Sequence, residues 1–135
     1  MTDSQTNSHS KYDPVRAAAV EALILIQQGE QTEHAVEAVA GGRGFRSLDM
    51  RFLQQMTNGT TKMRRRLDHE IRFFLARPSV DLSLKLQNIL RLGFFQLLYM
   101  DKVPAAAAVS ETVNLAHHFT DQNQARLVNA VMRSR

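Results

Sequence analysis

Positive charge is the one chemically usable feature that this sequence concentrates. Lys62, Arg64, Arg65, Arg66 and Arg72 lie in one short stretch, with Arg43, Arg46 and Arg51 upstream. Each arginine offers a planar fork of donors that pairs bidentately with phosphate, and each phosphate contact would add to the salt sensitivity of binding. Three consecutive arginines cannot share one helix face, so they suit a helix start or junction from which they fan outward. Tyr12 and Arg16 would add stacking and charge if the fold brings them close. Asp68 and Glu70 would neutralise part of the cluster through helix pairs. Two readings of the cluster stay open: a polyanion site and a solvated helix face.

Other chemistries find few residues to use. With no cysteine there is no disulfide, thiolate metal site or thiol nucleophile. The histidines are His9, His34, His69, His117 and His118. The adjacent pair would point about 100° apart on a helix, and no His-Glu-x-x-His pattern occurs, so no metal site is expected. Gly41-Gly42-Arg43-Gly44 resembles a phosphate loop, but it follows a helix and lacks the Gly-Lys-Ser/Thr ending. An interhelical loop is the better reading. Neither catalytic residues nor a cofactor are expected.

The elements that must carry the cluster read as helices. Residues 1–12 are polar and aperiodic and read as a flexible tail; residues 13–135 read as one globular domain. Asp13 caps a first helix that Pro14 opens and Gly29 stops. Thr32 caps a short second helix ended by Gly41-Gly42, and Ser47 caps a third carrying Leu48, Phe52 and Met56. Asn58-Gly59 reads as a bend or helix junction. Leu67, Ile71, Phe74 and Leu75 form the stripe of a fourth helix that Pro78 stops. From Asp81 or Ser83 runs the most apolar helix, Leu84 to Leu98, which should be central to the core. The alanines of Ala105 to His118 should allow close helix approach. Asp121 with Gln124 resembles a capping box before the last helix. The expected fold is all-α: a compact bundle of about seven helices in two subgroups.

Of the net charge of +4, residues 1–42 contribute −4, residues 43–77 contribute +6 and residues 78–135 contribute +2. The middle third would therefore attract polyanions. No apolar run approaches the roughly 20 residues of a membrane span, and Met1 to Ser10 lacks the apolar stretch of a secretory signal. The expected compartment is the cytoplasm, with no membrane partner.

Three segments then carry a resemblance. Ile89-Leu90-Arg91-Leu92-Gly93-Phe94-Phe95-Gln96-Leu97-Leu98, Val103-Pro104 through Leu115-Ala116, and Leu127-Val128-Asn129-Ala130-Val131-Met132-Arg133 resemble, in order, three helices of NusB-like domains. That resemblance covers about residues 13–133. One branch of the family comprises transcription antitermination factors that bind boxA-type RNA together with a small ribosomal-subunit protein. The other is the N-terminal domain of an rRNA cytosine-5 methyltransferase. Gln96, and Asn129 to Arg133, resemble the second branch more closely. The resemblance implies RNA contacts from Arg16, from Lys62 to Arg66, and from Asn123, Gln124 and Arg126. It implies structural roles for Glu111 near a helix start and for Asn129, bonding backbone near the last two helices. Partners would be rRNA or boxA-type RNA, with a methyltransferase catalytic domain or the ribosomal protein. This chain alone should transfer no methyl group, and it reads as an excised domain or a stand-alone relative. A protein-interaction module, its cations docked on an acidic partner, is the competing reading.

Overall fold

The computed structural model describes residues 11–135; the expected tail over residues 1–10, with His9, lies outside them. Seven α-helices and no strand occur among the described residues: α1 (Pro14–Gln27), α2 (Thr32–Ala40), α3 (Ser47–Lys62), α4 (Arg64–Arg72), α5 (Leu84–Tyr99), α6 (Ala105–Phe119) and α7 (Gln122–Ser134), with a 3-10 turn at Ser79–Asp81.

Local sequence sets several of the helix ends. The Asp13 carboxylate accepts from Val15 N at 3.2 Å and Arg16 N at 3.4 Å. Ser83 Oγ accepts from Leu86 N at 3.2 Å, and Asp121 accepts from Gln124 N at 2.9 Å. Gly29, at φ 109°, closes α1. Its N–H reaches Ile26 O at 3.0 Å and Glu30 N–H reaches Leu25 O at 2.9 Å, the paired bonds of a Schellman ending. Two expected caps shift by one residue. Thr32 and Ser47 are already helical, behind Gln31 and Arg46. At α3 the first turn is held instead by Asp49, which accepts from Arg46 N at 3.1 Å.

Helices α1 to α3 pack on one another, α6 packs on α7, and α5 touches both groups as well as α4. Eleven consecutive residues of α5, Leu86 to Gln96, are buried. Facing them are Val20 and Leu23 of α1, Leu53 and Met56 of α3, Leu67 and Ile71 of α4, and Leu115 and Val128 beyond. The closest approaches to α5 depend on glycine. A Cβ on Gly93 would stand 2.8 Å from the Thr112 side chain of α6 and 2.9 Å from Met132 Sδ of α7. A Cβ on Gly59 would enter the Phe95 ring.

Two local expectations need correction. Asn58-Gly59 lies inside α3, because Gly59 makes room for Phe95; the break falls at Met63. Helix α4 ends at Arg72, so Phe74 and Leu75 reach the core from turns rather than from a helical stripe. Of the alanines of α6, Ala108 and Ala116 are buried, while Ala105 and Ala106 are exposed.

Candidate nucleic-acid interface

The α3–α4 break puts the basic cluster on display. Met63, at φ −97° and ψ 12°, ends one helix and starts the next. Lys62, Arg64, Arg65, Arg66 and Arg72 are all exposed around it. With about 100° per residue, Arg65, Arg66, His69, Arg72 and Phe73 fall within an arc of about 120°, opposite buried Leu67 and Ile71. Arg64 points to the other side of α4. Two open depressions result. One is lined by Lys62, Met63, Arg65, Arg66, His69 and Glu70, the other by Thr61, Lys62, Arg64, Arg65 and Asp68.

Neither neighbouring carboxylate closes a pair with these cations. Asp68 turns inward to Arg91 of α5, at 2.7 Å to Nε and 3.0 Å to Nη2. Glu70 pairs with Arg135 at 3.5 Å. The expected neutralisation through helix pairs therefore gives way to pairing with arginines outside the cluster. Arg91 is itself buried, and its Nη1 also donates to Gln27 at 2.9 Å and to Asn88 at 3.3 Å, its Nη2 to Gln87 at 3.3 Å. This buried network ties α4, the helix that carries the cations, to α1 and α5. The only sequence clue to it was a charged residue within an apolar helix.

Arg16 is placed differently. Its side chain is 12% exposed. Nε donates to Gln96 Oε1 at 2.7 Å, Nη1 lies 2.9 Å from Asp13, and the guanidinium sits 5.1 Å over the Phe52 ring. Gln96, one of the residues on which the resemblance to the methyltransferase branch rests, is fully buried. Tyr12 also has a partner, stacking on His118 with ring centroids 3.7 Å apart. His118 remains exposed at its edge, and partial burial, with Arg43 and Lys85 nearby, lowers its pKa despite the opposing Glu21.

Asn123 and Arg126 are exposed on the first turn of α7, joined by a 3.3 Å hydrogen bond. Gln124 is half-buried, and its side chain does not complete a reciprocal cap: Oε1 is buried without a partner. The Glu70–Arg135 pair puts the far end of α7 beside α4. The 13 residues of α7 span about 20 Å, so its first turn lies that far from the end that meets α4. The structure thus gathers Lys62, Arg64, Arg65, Arg66 and Arg72 but not Asn123, Gln124 and Arg126 with them. Asn129 accepts from Arg133 Nε at 2.9 Å rather than bonding backbone, since its side chain faces outward one turn before that arginine. Glu111 is in the middle of α6 rather than at a helix start. Sequence reading passed over Phe73, although its i+4 spacing from His69 was visible.

Among the described residues, no group of three or more His, Cys, Asp or Glu side chains gathers as a metal site, and no helix is long and apolar enough to cross a membrane. In fold, the chain is similar to the crystal structure of antitermination factors NusB and NusE in complex with dsRNA, with TM-score 0.82 and 18% identity over 90% of this chain and 92% of that one. It is 33% identical over 111 residues to the transcription antitermination protein NusB of Dehalococcoides mccartyi (strain CBDB1), covering 82% of this chain and 68% of that protein. It is 36% identical over 123 residues to a Mycobacterium tuberculosis (strain H37Rv) protein named as a methyltransferase, covering 90% of this chain but 27% of the relative. The sequence profile of the NusB family matches residues 13–135, and the chain belongs to that family.

Proposed function

We propose that residues 13–135 form a cytoplasmic RNA-binding domain that acts by binding rather than by catalysis. It holds rRNA through phosphate contacts at the α3–α4 break, as the recognition domain of an rRNA cytosine-5 methyltransferase. The carrying observation is the exposed set Lys62, Arg64, Arg65 and Arg66, whose nearest carboxylates are engaged elsewhere. Arg72 extends the set, and exposed Asn123 and Arg126, with Gln124, form a second contact at the other end of α7. Arg16 serves mainly to fix α1 on α5. Identity to the methyltransferase-named relative across 90% of this chain supports the assignment, as does Gln96 in place of the Glu more often found in antitermination factors. No step of methyl transfer is assigned to these residues.

One observation favours a second reading, a transcription antitermination factor that binds boxA-type RNA with a small ribosomal-subunit protein: the D. mccartyi relative is matched over 68% of its own length. A titration separates the two. The chain is mixed with a small-subunit rRNA hairpin and with a boxA-type single strand, at two salt concentrations, with and without the ribosomal protein. Under the first reading the hairpin binds better, and affinity falls with salt by close to one logarithmic unit per tenfold salt for each phosphate neutralised. Replacing Arg64, Arg65 and Arg66 by Ala weakens binding and flattens that slope. Preference for boxA, strengthened by the ribosomal protein, selects the second reading. Failure to bind either RNA defeats both and turns attention to an acidic protein partner.

A further inference from the structure

Phe73 has no evident structural reason to be aromatic. It follows the last residue of α4 with 71% of its surface exposed. Its ring meets His69 edge to face, centroids 5.1 Å apart and planes at 85°. That contact orients the ring and covers only part of it. Arg65, Arg66 and Arg72 share its side of the helix, and His69 lines the same depression as Lys62, Arg65 and Arg66. A cationic groove beside an exposed aromatic face is the arrangement that holds unpaired nucleotides: cations take the backbone phosphates and the ring takes a base. In a continuous duplex the base faces are already stacked, leaving the ring nothing to bind.

We infer that Phe73, oriented by His69, is a stacking platform for an unpaired base. The RNA held at the α3–α4 break is then a loop or bulge, with its phosphates on Lys62, Arg65 and Arg66. This rests on the RNA-binding reading above and narrows its ligand. The charge around the ring selects nucleic acid over an apolar protein segment, since an apolar partner would have to desolvate three guanidinium groups.

The test uses the whole chain and three labelled RNAs with equal numbers of phosphates: a hairpin with an unpaired loop, the same hairpin with abasic riboses in the loop, and a fully paired duplex. Wild type should bind the first about tenfold more tightly than the other two. Phe73→Ala should remove that preference, leaving thermal melting and the salt dependence unchanged. Arg64, Arg65 and Arg66 to Ala should weaken all three RNAs together. Because the chain has no tryptophan, Phe73→Trp supplies a single indole, which the loop hairpin should quench and the abasic hairpin should not. Salt-dependent binding without preference for the loop, or a preference that survives Phe73→Ala, overturns the stacking platform and leaves the RNA reading standing. No binding by wild type to any of the three overturns both.

Discussion

Arg91 and Arg65 stand on adjoining helices with the same charged group, and their surroundings give them opposite uses. Arg91 makes five hydrogen bonds, to Asp68, Gln27, Asn88 and Gln87, matching the five donors of a guanidinium. Truncating it leaves the Asp68 carboxylate and buried Asn88 Oδ1 without a partner, while Gln27 Oε1 keeps Asn88 Nδ2 and Gln87 Oε1 keeps Gln27 Nε2. Arg91→Ala should therefore cost about 3 kcal/mol or more, read as a lower urea midpoint. Arg91→Lys should recover only part, because an ammonium cannot reproduce the fork. Gln96 holds Arg16 in a similar way, through one short bond. Gln96→Leu should cost about 1–3 kcal/mol, whereas Gln96→Glu should keep or raise stability by turning that bond into an ion pair. His118 adds a pH dependence. Its pKa is lowered in the folded chain, so the unfolded chain takes up its proton first as pH falls. Its contribution is fully present above about 6.5, is lost as pH falls from there through the folded value, and changes no further below it. A melting curve at pH 7.5 should lie above one at pH 5.5, and His118→Gln should narrow the gap.

Helix starts were legible in the sequence at three places where a short-range rule decides, though at Thr32 and Ser47 the same rule missed by one residue. Asp13, Ser83 and Asp121 cap because an oxygen one turn ahead of free N–H groups needs no distant partner. The apolar breadth of α5 likewise announced a central position. Features set by a second helix were not legible. Asn-Gly has the local chemistry of a turn, yet Gly59 is helical because Phe95 occupies the space beside it. Gly59→Ala should thus destabilise, by about 1–3 kcal/mol from overpacking less about 1 kcal/mol of helix propensity, and a calorimetric scan would show it. The candidate site divided in the same way. The Lys62 to Arg66 run could be seen as a cluster, but that Asp68 turns inward depended on Arg91, a residue on another helix.

At the scale of the whole molecule, Glu21, Glu33 and Glu37 lie on α1 and α2, while exposed Lys62, Arg64, Arg65 and Arg66 gather at the α3–α4 break. The second exposed polar set sits at the opposite end of α7. A ligand that touches both must reach across about 20 Å. Arg65→Ala and Arg126→Ala should therefore weaken binding of a long RNA additively, within about 0.5 kcal/mol. A short oligonucleotide should feel only one of them, a difference that paired titrations would resolve. The continuous burial of α5 from Leu86 to Gln96 has its own consequence in time. Its neighbours come from both halves of the chain, so its backbone amides can meet solvent only when both helix groups part. In deuterium they should be the last to exchange, at the rate of global unfolding, while those of α4, which carries the cations at the surface, exchange early through local openings.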